Sequence, residues 1–318
     1  MSPTILLLIG LVLLFFGGEL LVRGAVSLAL KLKISTLVVG MTIVSFATSS
    51  PELFVSLKAV LDGSSNIAFG NVIGSNIANI TLVLGITAMI FRVKISKQTL
   101  TLNYPMMLLV SIVLGGVLYF FNGIPVWVGF FFVVLLLFFV WLLILTSRKD
   151  HLKAATDEDV LLATASHDHV FKNIIFLLLG VILLKYGADF LVNSTKLIAK
   201  GFGVSDRVIA VTVVAVGTSI PELTTSIIAA LKKEDSLAVG NLIGSNMFNI
   251  LAVLGITASV KEINIIDSAI FYFDYFWMIL ITLLVGLFIY LFSKNQISRK
   301  EGIFLFLAYI FYIYKSLF

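Results

Sequence analysis

Apolar residues in this chain neither alternate as on a half-buried strand nor leave the broad polar face of a surface helix; they run on for 20 residues or so at a time. Predominantly apolar stretches cover residues 4–30, 36–61, 66–91, 103–121, 124–146, 173–198, 206–231, 236–260, 268–292 and 302–317. A helix needs about 20 such residues to cross a bilayer, so the pattern predicts an all-α integral membrane protein of ten transmembrane helices. One stretch is long and polar enough to leave the bilayer, residues 147–172, which holds all three histidines. It divides the chain into an N-terminal part (1–146), a linker (147–172) and a C-terminal part (173–318). The first apolar stretch is read as a span and not as a cleaved leader, because it lacks a basic start and carries Glu19.

The two parts are copies of one another. A shift of 170 residues aligns Gly10 with Gly180, Gly17 with Gly187, Pro51 with Pro221 and Gly85 with Gly255 without a gap, and from Ile34 to Ala88 it leaves 27 of 55 pairs identical. Apolar composition alone does not align Pro, Glu and Asn. The densest matches are ATSSPE (47–52) with GTSIPE (217–222), and GNVIGSNIANI (70–80) with GNLIGSNMFNI (240–250). Five spans per copy is an odd number, so the second copy enters the membrane from the opposite side, as an inverted repeat.

Composition sharpens this picture. Of 318 residues 60% are hydrophobic, against 22 Lys+Arg and 17 Asp+Glu, and the mean hydropathy is +1.12; soluble domains carry roughly a quarter charged residues. Cytoplasmic loops collect Lys and Arg. With the N-terminus outside, fourteen basic residues, among them Lys31, Arg92, Arg148, Lys232 and Arg299, fall on the side of the linker, against five (Lys196, Lys200, Arg207, Lys261, Lys315) on the other. Both termini are therefore expected outside and the linker in the cytoplasm, in a plasma or bacterial inner membrane, since apolar helices exclude an outer-membrane barrel. The net charge of +5 is scattered over short loops. That suits lipid headgroups and argues against nucleic acid. With no cysteine, disulfides, thiolate metal sites and Cys nucleophiles are excluded.

Carboxylates deep in a span are costly and usually functional. Two sit squarely mid-span, Glu52 and Glu222, and they are repeat equivalents. Pro51 and Pro221 precede them; lacking an N–H and crowding the carbonyl four residues back, each proline frees a backbone oxygen, of Ala47 and Gly217. Thr48 and Ser49 share the helix face of Glu52, as Thr218 and Ser219 share that of Glu222. In the next span of each half, Ser75 lies four residues before Asn79 and Ser245 four before Asn249, again on one face. Gly70, Gly74, Gly240 and Gly244 are expected to let backbones approach closely or to break the helix. This inventory is made of oxygen, which suits hard cations such as Na⁺ or Ca²⁺, and its formal charge of minus two matches one Ca²⁺ or two Na⁺. Broken helices at corresponding positions of inverted halves are the mark of an alternating-access transporter. No phosphate-binding loop or soluble nucleotide domain is present to couple it to ATP, and no resident cofactor is called for.

The paired G-T-S-x-P-E and G-N-x-x-G-S-N-x-x-N/D motifs resemble the two alpha repeats of the cation/calcium antiporters, most closely the prokaryotic sodium/calcium exchangers. The resemblance spans both repeats and essentially the whole chain. It implies a central cation site of Glu52, Asn79, Glu222 and Asn249, flanked by Thr48, Ser49, Ser75, Thr218, Ser219 and Ser245, with backbone carbonyls near Ser45 and Ala215, and first and sixth spans that slide. Two positions depart from the pattern. Ala47 replaces the usual Gly, and Asn249 stands where many exchangers carry Asp in one copy, which removes a charge and disfavours a proton cycle through that position.

The leading function is thus Na⁺/Ca²⁺ antiport, with Ca²⁺/H⁺ antiport by Glu52 and Glu222 as the alternative. An intramembrane enzyme lacks its parts: every histidine is in the linker, and Asp189 and Asp274 have no supporting motif. A channel pore belongs at an oligomeric axis, whereas this symmetry lies within one chain, so the protein is expected to work as a monomer. Glu19 with Arg23, and Lys185 with Asp189, are expected as helical i, i+4 ion pairs, and Asp274 as an interfacial anchor among aromatic residues.

Overall fold

A computed structural model of the chain describes residues 2–32, 34–63, 65–154, 170–201, 215–265 and 267–317. Its helices are α1 (Pro3–Leu32), α2 (Thr36–Thr48), α3 (Ser50–Leu61), α4 (Ser65–Ile90), α5 (Thr99–Phe121), α6 (Val126–Ala154), α7 (Val170–Gly201), α8 (Ala215–Thr218), α9 (Ile220–Leu231), α10 (Asp235–Val260), α11 (Ile270–Phe292) and α12 (Arg299–Leu317). Seven helices among the described residues are long and apolar enough to cross a membrane, or eight if α2 and α3, bent by 44° at their break, are counted as one span. The expected span 206–231 lies partly outside the described residues, and α9 alone is shorter than a crossing. The expected span 302–317 lies in α12, whose 19 residues include Arg299, Lys300, Glu301 and Lys315. Most of the linker, residues 155–169, lies outside the described residues.

The bundle is polar within and apolar without, as lipid requires. Phe15, Phe16, Phe54, Phe130, Leu137 and Trp141 are among many large apolar side chains left exposed, while Glu52, Glu222, Asn76, Asn79, Asn246 and Asn249 are buried. Layering follows: the apolar stretch of α10 is 100% buried and that of α4 78%, against no more than 33% for α1, α6 and α7. The helices that carry the Asn motifs form the centre, and the first helix of each half packs outside them.

Small residues set these contacts. Where α1 crosses α7, a Cβ on Gly10 would lie 2.9 Å from Gly187 O and one on Gly17 3.0 Å from Gly180 O. Gly240 and Gly244 lie against Leu37, Met41 and Ser45 of α2, the close approach their spacing predicts. The repeat counterparts of those α2 residues, 207 to 215, lie largely outside the described residues, so the matching approach to Gly70 and Gly74 is not described. Helix ends follow local chemistry: Ser298 and Glu301 form a capping box at the start of α12, Ser298 N donating to Glu301 Oε2 at 2.7 Å.

Two-residue strands staple the loops. β1 (Val93–Lys94) pairs antiparallel with β4 (Gln296–Ile297), and β2 (Gly123–Ile124) with β3 (Ile263–Asn264). Glycine is required at 123, because a Cβ there would run into the carbonyl of Ile263. On the β1–β4 side Ser35 N also donates to Ser147 Oγ at 2.8 Å, and on the β2–β3 side Lys261 Nζ donates to Val60 O at 3.2 Å.

The ion pairs differ from the helical i, i+4 expectation. Glu19 pairs with Lys232 at the end of α9 (2.5 Å), and the Arg23 guanidinium lies over the Phe176 ring, 5.5 Å from its centroid. Gly18 is the reason, because its missing side chain lets Thr224 and Ile228 of α9 press on α1 and brings Lys232, one turn on, beside Glu19. Lys185 lies over the Tyr186 ring, 5.9 Å away, and among the described residues no ion pair joins it to Asp189. Asp274 accepts a hydrogen bond from Tyr312 Oη at 2.9 Å within a stack of Phe273, Trp277 and Tyr312.

Candidate cation site

Both halves break a helix at the same place. Pro51 and Pro221 sit in the first turns of α3 and α9, where a missing N–H costs nothing. The residues before those helices leave helical geometry together, Ser49 at φ −86°, ψ 3° and Ser219 at φ −91°, ψ 3°. Each break puts a glutamate in the first turn of the helix that follows, where the helix dipole favours negative charge. The carbonyl that Pro51 displaces is not left free, since Ala47 O accepts the Ser50 hydroxyl at 2.7 Å. Ile220 stands in that place in the second half and has no hydroxyl to offer. The Ser45 carbonyl accepts Ser49 N at 2.9 Å.

The central helices change pitch at the motif asparagines. In α4 the turn widens to i→i+5 hydrogen bonding over Asn79–Val83, and in α10 over Asn249–Leu254. Such bulges re-aim side chains and recur at functional sites. No proline or glycine marks these two, so spacing along the sequence does not announce them.

Nine of the ten residues singled out from the sequence are buried together: Glu52, Glu222, Asn79, Asn249, Thr48, Ser49, Ser75, Ser219 and Ser245 are each at most 3% exposed. Thr218, half-buried, lines a cavity. Contacts cross between the halves. Ser49 Oγ donates to Glu222 Oε1 at 3.4 Å, and Thr48 Oγ1 lies 3.5 Å from Ser245 Oγ. Among the buried polar atoms that receive no hydrogen bond are five oxygens of the motif carboxylates and amides: Glu52 Oε1 and Oε2, Glu222 Oε2, Asn79 Oδ1 and Asn249 Oδ1. Buried acceptors are nearly always paired, and leaving one without a partner costs about 1–3 kcal/mol, more when it is charged. Five such oxygens, two carboxylates among them, are donors that could hold a hard cation.

A cavity of about 370 Å³ reaches the two breaks from one side. Thr48, Pro51, Phe54, Ala188, Asp189, Asn193, Thr218 and Pro221 line it. The equivalent location in the other half is shut: Thr224 and Ile228, the counterparts of Phe54 and Lys58, lie 3.1 and 2.9 Å from where a Cβ of Gly18 would stand, and the Glu19–Lys232 pair lies beside them.

Several buried or half-buried polar groups carry contacts to which the sequence had assigned no task. Asn79 Nδ2 donates to Asn246 Oδ1 (3.2 Å) and Asn249 Nδ2 to Asn76 Oδ1 (3.0 Å). Asn71 Nδ2 donates to Glu52 O (3.1 Å) and Ser56 Oγ (3.0 Å), and Thr48 Oγ1 donates to Asn241 Oδ1 (3.3 Å). The Tyr104 hydroxyl donates to Thr282 O at 2.8 Å, and the Tyr275 hydroxyl reciprocally to Ser111 O at 3.1 Å. Asn71, Asn76, Asn241 and Asn246 all lie within the repeated motif, and that repetition was the available signal.

Known proteins agree with this architecture. Residues 2–145 and 172–318 match the family described as sodium/calcium exchanger protein. The chain belongs to that family. It is 31% identical over 345 residues to the sodium/calcium exchanger MaX1 of Methanosarcina acetivorans, covering 97% of each chain, and 35% identical over 292 residues to the inner membrane protein YrbG of Escherichia coli K12, covering 89% of this chain and 87% of that one. A solved structure of the sodium-calcium exchanger NCX_Mj, soaked with 10 mM Na⁺ and 10 mM Sr²⁺, superposes with a TM-score of 0.82 at 28% identity, over 98% of this chain and 97% of that one. The chain is therefore an integral membrane protein of the exchanger family, and the expected family membership is borne out.

Proposed function

We propose that this exchanger-family protein is a Na⁺/Ca²⁺ antiporter, in which the Na⁺ gradient drives Ca²⁺ out of the cell. The reading rests on the buried, unpartnered oxygens of Glu52, Glu222, Asn79 and Asn249, with Thr48, Ser49, Ser75, Thr218, Ser219 and Ser245 as flanking ligands. One Ca²⁺ or two Na⁺ neutralises the two carboxylates, and an empty site leaves two charges buried, each costing about 2.5–3.5 kcal/mol or more at membrane depth. That cost keeps the loaded forms as the ones that cross between states. Glutamine-like neutrality at Asn79 and Asn249 leaves charge balance to the glutamates alone.

The architecture of this reading is ten spans in two inverted repeats (1–146 and 173–318) joined by a cytoplasmic linker (147–172), both termini outside, in the plasma or inner membrane, acting as a monomer. Two features support the inversion. The Gly10–Gly187 approach becomes Gly180–Gly17 under the 170-residue shift, and both contacts are present in one helix crossing. By the same shift β1 is the counterpart of β3, yet β1 pairs with β4 on one side and β3 with β2 on the other. Alternating access then follows from the inequality of the halves: the cavity beside α7 is open, its counterpart beside α1 is shut, and exchanging those packings moves the opening to the other face.

Proteoliposomes test the coupling. Loaded with Na⁺ and diluted into Na⁺-free buffer, they are expected to accumulate Ca²⁺, and a pH gradient without Na⁺ is expected to drive none. Accumulation that follows the pH gradient and ignores Na⁺ assigns the Ca²⁺/H⁺ alternative instead.

A further inference from the structure

Asn76 and Asn246 are repeat equivalents, 1% and 3% exposed, and each reaches into the other half. Asn246 Oδ1 takes the Nδ2 of Asn79 (3.2 Å), and Asn76 Oδ1 takes the Nδ2 of Asn249 (3.0 Å). A side-chain amide has an acceptor on one side and donors on the other in nearly the same shape. With its Nδ2 held, Asn79 turns Oδ1 the other way, and that oxygen, like its twin on Asn249, receives no hydrogen bond. Flipped amides would turn N–H groups toward a cation.

The orienting residues are themselves oriented. Asn246 Nδ2 donates to Met107 Sδ, and Asn76 Nδ2 to Met278 Sδ, both at 3.7 Å; Asn76 Nδ2 also donates to Asn246 O at 3.3 Å. A thioether accepts weakly and never donates, so each methionine sulfur requires the N–H₂ end and leaves Oδ1 for the asparagine beyond. We infer that Asn246 and Asn76 are positioning residues, each fixing the amide orientation of the other half's cation ligand, Asn79 and Asn249 respectively, from an anchor on Met107 and Met278. This rests on the reading of Asn79 and Asn249 as ligands. Partners that orient metal ligands typically cost about 10- to 100-fold in affinity when removed.

The test is a cycle on the Ca²⁺ concentration for half-maximal Na⁺-driven uptake. Asn246→Leu is expected to raise it about tenfold or more, and Asn246→Asp, which keeps an acceptor in place, by much less. In an Asn79→Asp background the two ligand oxygens are equivalent and no amide can flip, so adding Asn246→Leu is expected to cost little further. Equal losses from Asn246→Leu in both backgrounds, with Asn246→Asp no better than Leu, mean a packing role and overturn the inference. Should an Asn246 variant fail to fold, Asn76→Leu with and without Asn249→Asp runs the same cycle on the opposite pair. Failure of the underlying reading looks different: Asn79→Ala and Asn249→Ala would leave Ca²⁺ dependence unchanged.

Discussion

At the scale of single residues, Glu52 and Glu222 carry the negative charge that the account gives to the cation. Glutamine keeps the shape and an oxygen but removes the charge. Glu52→Gln and Glu222→Gln are each expected to lower Ca²⁺ uptake by more than tenfold while leaving the thermal midpoint in detergent unchanged or higher, because a neutral amide is cheaper to bury than an unneutralised carboxylate. Asn249→Asp is expected to act in the opposite sense on affinity. It adds a third carboxylate, so half-maximal Ca²⁺ should fall at fixed Na⁺, and uptake should gain a pH dependence from a group that now exchanges protons; an unchanged Ca²⁺ requirement would place Asn249 away from the ion. These residues were legible because each appears twice at one spacing. Asn76 and Asn246 appear twice as well, yet their work lies in contacts across the halves, and no spacing along one chain reports which amide end a neighbour holds.

Among the elements, the close crossing of α1 with α7 depends on bare backbone. A Cβ on Gly17 would stand 2.8 Å from Leu184 N, and backbone cannot turn aside as a side chain can. Gly17→Leu is expected to destabilise the protein by about 1–3 kcal/mol, seen as a lower melting temperature in detergent, whereas Gly116→Leu, with nothing within 4 Å, is expected to be silent. Apolar run length predicted most of these helices, and the paired prolines predicted the breaks at Ser49 and Ser219. The widened turns at Asn79 and Asn249 were not legible, since they arise from packing in the crowded centre and leave no proline or glycine behind. Glu19 illustrates the same limit. Arg23 is the natural partner on an isolated helix, but the approach that Gly18 permits brings Lys232 in instead.

For the molecule as a whole, the proposed function makes the difference between an open and a shut half the basis of alternating access, and the chain is suited to testing it because it has no cysteine. Single cysteines at Ala188 or Asn193, in the open cavity, are expected to react with a membrane-impermeant thiol reagent from the outer face. A cysteine at Thr224, against α1, is expected to stay unmodified under the same conditions. Equal labelling of all three would mean that the two halves do not differ in access. Whether one buried cluster of oxygens serves both ions in turn is decided by equilibrium ⁴⁵Ca²⁺ binding to the purified protein, titrated with Na⁺ at constant pH. Saturable Ca²⁺ binding is expected, displaced by Na⁺ and abolished by Glu52→Gln and by Glu222→Gln. Binding that survives both substitutions, or that Na⁺ leaves untouched, would contradict it.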